Sequence, residues 1–270
     1  MKVLVFGDIY GRVGREALTR ELGTLKKKYQ ADFVIANIEN ATAGRGPVSE
    51  HAQDIEKLWV DVMTWGDHIF DNVPNINTYL NKKDSILIRP ANFYESDKFS
   101  LKWKGYILIE KQGKRLLVIQ VLGEVFMSHN VSNPFLKVSE ILESIPRSDY
   151  DACILDFHRE TTAELYGMWY YLDGKVSLVY GTHTHIQTND AHILKDGTGI
   201  IADVGMNGPF DSVIGAEYAS VEKRFLTWIQ RGKIEQQIKW PYVINAVFVE
   251  IDESTGACTH IENISYIWKL

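Results

Sequence analysis

Residues 2–40 read KVLVFGDIYGRVGREALTRELGTLKKKYQADFVIANIEN, and their layout decides the fold. Residues 2–6 (KVLVF) form an apolar run of strand length, ended by Gly7. From Arg15 to about Tyr29 the residues are helix formers, and Ala17, Leu18, Leu22 and Leu25 recur at a helical period. A second apolar run, ADFVIANI (31–38), ends at Glu39. Strand, helix and strand in this order predict a parallel βαβ unit. A helix from about Ser49 to Trp59 and a strand DVMTW (61–65) ending at Gly66 continue the alternation.

The middle of the chain changes character. YILIE (106–110) and RLLVIQVL (115–122) flank Lys111-Gln112-Gly113-Lys114 and predict a hairpin. PFLKVSEILESI (134–145) is an amphipathic helix opened by Pro134. DACILDF (151–157) is another buried strand, and TTAELYGMWYYL (161–172) another helix. The spacing of the aromatic residues in that helix suits a core face. Hairpins return in HILKDGTGIIADV (192–204) and in VINAVFVEIDESTGACTHIENISYI (243–267). The fold class is therefore mixed α/β, with parallel units first and antiparallel pairs later. No Pro/Gly/Ser-rich linker and no repeat interrupts the chain, so residues 1–270 are expected to form one domain. The irregular stretch 206–240, rich in Gly and aromatics, is the candidate for a small accessory lobe.

Composition is that of an ordinary globular protein, 45% hydrophobic and 24% charged. A net charge of −6 argues against an extended nucleic-acid surface, which needs a basic face. It leaves room for a small anionic substrate, because bound divalent metals invert the local field. Cys153 and Cys258 lie far apart and in no C-x-x-C, so neither a zinc knuckle nor a disulfide framework is indicated. The apolar run at MKVLVFGD is too short for a signal peptide and no run reaches membrane-span length, so a cytoplasmic protein is expected.

Chemistry collects right after the predicted strands. Asp8 follows VLVFG, Glu39 and Asn40 follow FVIANI, and Asp67 and His68 follow VMTWG. His158 follows CILDF, and His183 and His185 follow SLVYG. In open α/β sheets, ligands bind at the carboxyl ends of strands, so these residues are delivered to one edge. Turn geometry alone would place Gly, Asn, Ser or Pro at these positions. Oxygen and imidazole donors without thiolate suit Mn, Fe(II), Zn or similar ions. Even without His68, the seven other donors exceed one tetrahedral zinc and fit two ions about 3.5–4 Å apart sharing a carboxylate. His183 and His185 are then expected to serve one metal each. His51, His129, His192 and His260 lie in no convergent motif and read as surface or capping residues. Arg89 and Asn92 in RPANF (89–93) suit either phosphate contacts or a structural turn about Pro90. Arg159 and Glu160 suit either orientation of a ligand or exposure to solvent. The Gly7, Gly11, Gly14 spacing matches neither G-x-G-x-x-G nor a P-loop. An eight-fold βα barrel, which would also set histidines at strand ends, is disfavoured by the late hairpins.

Taken in order, GDIYGRVGR (7–15), NIEN (37–40), Gly66-Asp67-His68, RPANF, DFHRE (156–160), GTHTHIQT (181–188) and DVGMNGP (203–209) resemble the YmdB-like metallophosphoesterases. These belong to the calcineurin-like superfamily and are similar to phosphodiesterases acting on 2′,3′-cyclic nucleotides. The resemblance runs to about residue 215 and implies a four-layer α/β/β/α sandwich with two mixed sheets, assembled as a homo-oligomer. It implies Asp8, Asn40 and His185 on one divalent metal and Asp67, His158 and His183 on a second, with Glu39 bridging. Iron or manganese are the first choices, with zinc or magnesium next. It further implies attack by a metal-bridging hydroxide on a small 2′,3′-cyclic nucleotide, 3′,5′-cyclic substrates being the open alternative, with His68 as proton donor. Arg89, Asn92 and Thr184 are the candidate substrate contacts. One position departs from the pattern: the superfamily carries Gly-Asn-His where this chain has Gly66-Asp67-His68. That carboxylate keeps a rival alive, a catalytically weak regulatory protein that binds metal and nucleotide.

Overall fold

In β1 (Lys2–Phe6) the side chains of Leu4 and Phe6 enter one apolar cluster and those of Val3 and Val5 another, all four fully buried. A strand buried on both faces must lie between two layers. The same split recurs in β3 (Phe33–Asn37), where Val34 and Ala36 join Leu4 and Phe6, while Phe33 and Ile35 join Val3 and Val5. Helix α1 (Gly11–Tyr29), between these strands, covers the first of the two faces with Val13, Ala17, Leu18, Leu22 and Leu25.

The computed structural model describes residues 1–94, 103–227 and 232–268. Between β1 and α1 lies the short β2 (Asp8–Ile9), and α2 (Ser49–Lys57), β4 (Val62–Thr64) and α3 (Val73–Leu80) follow β3. Next come the hairpin β5 (Tyr106–Lys111) and β6 (Lys114–Leu122), then α4 (Pro134–Ser144), β7 (Ala152–His158), α5 (Thr162–Leu172) and β8 (Leu178–Thr182). The chain closes through β9 (His192–Ile193), β10 (Gly199–Ile201), β11 (Met206–Pro209), α6 (Tyr218–Thr227), β12 (Tyr242–Ile251) and β13 (Cys258–Trp268).

These strands form two mixed sheets. The first runs β2-β11-β12-β1-β3-β4, with β13 pairing β12. The second runs β5-β6-β7-β8-β10-β9. Strands β1, β3 and β4 are mutually parallel, as are β6, β7, β8 and β10, while the late hairpins are antiparallel. Leu116, Val118, Ile154, Leu178 and Tyr180 of the second sheet share a cluster with Val3, Val5, Phe33 and Ile35 of the first. Their alternates Leu117, Ile119, Leu155 and Val179 pack with Val138 and Ile141 of α4 and Leu165, Met168 and Trp169 of α5. Helices, sheet, sheet and helices thus stack as four layers. Among the described residues no helix is long and apolar enough to cross a membrane.

Two boundaries differ from the sequence expectation. Helix α1 begins at Gly11 and not at Arg15. Gly14, inside this helix, is a contact residue, because a Cβ there would overlap the Asn207 carbonyl oxygen of β11. Residues 206–209 (MNGP) are a strand of the first sheet, paired to β2 and β12, and therefore not part of a lobe. The rest of the 206–240 stretch contains α6 and isolated pairings of Ala216 with Val213 and Gln236, while residues 228–231 lie outside the described residues. Helix α3, which the sequence reading passes over, buries Ile76, Tyr79 and Leu80, and its Pro74 sits in the first helical turn, where Pro is tolerated.

Two glycines of α1 give a paired test. Nothing lies within 4 Å of a Cβ built on Gly23. Gly23→Ala is therefore expected to stabilise by about 0.5–1 kcal/mol through helix propensity. Gly14→Ala is expected to cost about 1–3 kcal/mol, as overpacking does. Urea denaturation of both variants checks this, and two effects of the same sign would contradict the assignment of Gly14 to the α1–β11 contact.

Candidate metal centre

The inward-facing row of each central strand is apolar along most of its length and ends on a polar residue. In β3 the row Phe33, Ile35 ends at Asn37, and in β4 Val62 is followed by Thr64. In β6 the row Leu116, Val118 reaches Gln120, in β7 Ile154 leads to Asp156 and His158, and in β8 Tyr180 leads to Thr182. All six polar side chains are fully buried. They bond to one another across the sheet–sheet gap and to the loops beyond. Asn37 Nδ2 donates to the Trp65 carbonyl (2.9 Å) and Gln120 Oε1 accepts from the Trp65 amide (2.9 Å), which fixes the backbone entering Gly66-Asp67. Asn37 Oδ1 accepts from the Glu39 amide at 3.0 Å. Carboxyl ends of both sheets, not of one, thereby aim their loops at a common point.

Two groups of donors meet there. Glu39, Asp67, His158 and His183 bring ligand atoms within 4.8 Å of one another, and so do Asp8, Glu39 and His185. Glu39 belongs to both. His158 Nε2 lies 3.3 Å from Glu39 Oε2, 3.4 Å from Asp67 Oδ1 and 3.1 Å from His183 Nδ1. The Asn40 amide lies 2.9 Å from Glu39 Oε1 and 3.2 Å from His185 Nε2, and a half-turn about its last bond would present oxygen in place of nitrogen.

Each imidazole spends its outward nitrogen on a partner. His158 Nδ1 lies 2.8 Å from Thr182 Oγ1, His183 Nε2 lies 3.1 Å from Glu160 Oε2, and His185 Nδ1 donates to the Ile214 carbonyl at 2.8 Å. A metal-binding histidine is oriented in this way, with the second nitrogen held from behind. Glu160 therefore does not simply face solvent. Arg159 is buried against Asp203 (3.7 Å) and donates to the Ala202 carbonyl.

The His-x-His loop is bent to reach the site. His183 and His185 have φ of 105° and 67°, conformations a side-chain-bearing residue seldom adopts. Asp203 braces the loop by accepting from Thr184 N and Oγ1, both at 2.9 Å. Gly66 is required for the opposite reason, close approach: a Cβ there would overlap Glu39 Oε2 and crowd the His158 ring.

The electrostatics call for cations. Buried oxygens of Asp8 (Oδ1), Glu39 (Oε2) and Asp67 (Oδ1) have no hydrogen-bond partner. Burial pushes the Asp8 carboxyl up to about 7, and burial together with the charges of Asp67 and Asp8 pushes Glu39 well above its ordinary value. Burial drives His158 down to about 3 and also lowers His185, so these rings present lone pairs and not charge. Partnerless carboxylate oxygens facing neutral imidazoles at hydrogen-bond distance fit divalent metal ions and little else.

The remaining candidates are placed as follows. His68 stands beside the centre with Nδ1 3.0 Å from Asp71 Oδ2, and that oxygen also accepts from Arg45 Nη1 at 3.0 Å. His129, which reads as a surface residue, donates from Nε2 to the Asp67 carbonyl at 2.6 Å and packs edge-on to Phe70 and Phe93. Sequence spacing carries no signal for it, because the contact joins residues 62 apart. Arg89 and Asn92 bond to the backbone around them. Arg89 donates to the Trp103 (3.0 Å) and Pro90 (2.8 Å) carbonyls, and Asn92 bonds the backbone of Leu122 and Ser132. Of the two readings of RPANF, the structural turn is the one these bonds support. Thr184 is likewise engaged with Asp203.

Known proteins resemble this chain in sequence and fold. The sequence pattern of the family described as YmdB-like protein matches residues 4–264. A 2′,3′-cyclic-nucleotide 2′-phosphodiesterase of Bacillus subtilis is 35% identical over 271 aligned positions, covering 98% of this chain and 96% of the relative. The crystal structure of a phosphatase from Mycoplasma pneumoniae superposes with a TM-score of 0.89 at 34% identity, covering 99% of this chain and 93% of that one. A hypothetical protein from Thermus thermophilus superposes with a TM-score of 0.89 at 30% identity, covering 99% of both chains. With almost the whole length of the sequence matching, the chain belongs to the YmdB-like family.

Proposed function

We propose that this protein is a dinuclear-metal phosphodiesterase acting on small cyclic nucleotides, 2′,3′-cyclic ones in the first place and 3′,5′-cyclic ones as the alternative. The observation that carries the reading is the membership of Glu39 in both donor groups, which is the arrangement two neighbouring ions sharing one carboxylate require. Asp8, Asn40 and His185 would hold one ion and Asp67, His158 and His183 the other, with iron or manganese the ions that best suit this donor set. When bound, such a pair supplies an activated water and offsets the charge on the phosphoryl oxygens. The activity of the Bacillus subtilis relative, a 2′,3′-cyclic-nucleotide 2′-phosphodiesterase, supports the choice of substrate. We place the enzyme in the cytoplasm, with residues 1–270 acting as one domain, and, as the resemblance implies, as a homo-oligomer.

The chain's own residues do the rest. His68 lends Nδ1 to Asp71, itself anchored by Arg45, and so has Nε2 free to carry a proton to the leaving ribose oxygen. His183 and His185 need no rearrangement to present their rings, since Asp203 and the Ile214 carbonyl already hold the loop. A substrate panel run with metal analysis of the purified protein tests the whole reading. Hydrolysis of a cyclic nucleotide with two metals per chain is expected, and tight nucleotide binding without turnover would favour the regulatory alternative.

Two substitutions separate the roles. Glu39→Ala is expected to lose both metals and essentially all hydrolysis, whereas His185→Ala is expected to weaken one site; retention of two tightly held metals in Glu39→Ala would remove the bridge. His68→Ala is expected to keep its metal content and to lose about 10²–10⁴-fold on a cyclic nucleotide. The loss should be much smaller on an activated aryl phosphodiester, whose phenolate leaves unaided. Equal losses on both substrates would assign His68 to structure or to metal binding.

A further inference from the structure

Asp156 lies beneath the centre, fully buried, and touches neither group of donors. Its hydrogen bonds all run one way. Oδ2 accepts from Thr64 Oγ1 (2.5 Å), Asn37 Nδ2 (3.4 Å) and Gln120 Nε2 (3.4 Å), and Oδ1 accepts from Thr182 Oγ1 (2.8 Å). Thr182 has one hydroxyl proton, and Asp156 takes it. Toward its other neighbours the Thr182 oxygen acts only as an acceptor, from Asn37 Nδ2 at 3.5 Å and from His158 Nδ1 at 2.8 Å. His158 must then carry its proton on Nδ1, which leaves the Nε2 lone pair pointing at Glu39, Asp67 and His183.

We infer that Asp156 is a positioning residue that sets the tautomer and ring orientation of His158 through the Thr182 hydroxyl, and so keeps one metal ligand ready. The inference rests on the assignment of His158 as a ligand under the proposed function. It accounts for a buried carboxylate that no reaction step uses. It also accounts for a threonine at the end of β8, where an isosteric valine would continue the apolar row. The chain's atoms carry the direction of the signal: a carboxylate can only accept, so the hydroxyl can only face one way.

An amide would reverse that direction. In Asp156→Asn the amide nitrogen must replace one carboxylate oxygen. At the Oδ2 position it would oppose three donors, but at the Oδ1 position only Thr182. The Thr182 hydroxyl would then accept from the amide and turn its proton to His158 Nδ1, forcing the His158 proton onto Nε2. Long-range ¹⁵N–¹H spectra of the metal-free protein read this directly, and equilibrium dialysis with Zn(II) and Mn(II) reads the consequence. In the wild type His158 is expected to be protonated at Nδ1, and in Asp156→Asn at Nε2. Metal affinity is expected to fall by about 10–100-fold in Asp156→Asn and in Thr182→Val, the range typical of lost outer partners of a ligand. Thr182→Ser, which keeps the hydroxyl, is expected to retain both the wild-type tautomer and the wild-type affinity. A wild-type His158 protonated at Nε2, or on both nitrogens, would overturn the inference without any variant having to fold. An Asp156→Asn protein with unchanged tautomer and affinity would overturn it as well. Absence of metal binding or hydrolysis in the wild type would count against the proposed function alone, because the tautomer is read without either.

Discussion

Two sheets packed face to face on an apolar interior cannot also host a polar site unless that interior ends somewhere. Here it ends at one level in both sheets. Asn37, Thr64, Gln120, Asp156 and Thr182 occupy the inward register just where Ile35, Val62, Val118, Ile154 and Tyr180 stop. Each polar atom left bare in such a layer would cost about 1–3 kcal/mol, so the layer holds only if its bonds close on themselves and on the loops above. They do: the Trp65 backbone, the Glu39 amide and the His158 ring are all held by members of this layer. The loops that carry the donors inherit their positions from it.

The cost of this design falls on the carboxylates. Asp8 and Glu39 are buried deeply enough that both resist ionisation, and their partnerless oxygens face each other's surroundings and not water. A protein that wanted only stability would put leucines there. The sheets instead supply rigidity around a cluster that is electrostatically unfinished, which is the usual relation between scaffold and site.

Much of the layout is legible in the sequence, and the reason is local. Apolar runs of strand length ending in Gly-Asp, Glu-Asn, Asp-His or His-x-His announce both a strand and what lies at its carboxyl end, so the alternation and the donor types can be read residue by residue. What is not legible depends on partners remote in sequence. Gly14 and Gly66 look like turn residues, yet each makes room for an atom of another element, Asn207 and Glu39 respectively. MNGP at 206–209 looks like a loop and is a strand only because β2 and β12 lie on either side of it. Asn92 and Arg89 suit substrate contacts or a turn equally well in the sequence, and their backbone partners lie 30 and 14 residues away. The polar layer itself has a signal: in runs buried on both faces, the last inward residue is polar in strand after strand. Reading it requires knowing which face is inward, and that is fixed only when the second sheet arrives.

The two histidines of the GTHTHIQ loop hold a backbone shape in which glycine would be more comfortable. Glycine has no nitrogen to offer a metal, so the discomfort is accepted during folding, where Asp203 and the Ile214 carbonyl lock the loop. An ion held there would meet a cradle whose shape is already set, and would lose little of its binding free energy to ordering the chain. A cradle set in advance also discriminates by size: an ion whose preferred bond lengths disagree with the spacing of the rings cannot pull them closer without undoing the fold around them. For the metal centre proposed here, selection by size would be written into two backbone angles.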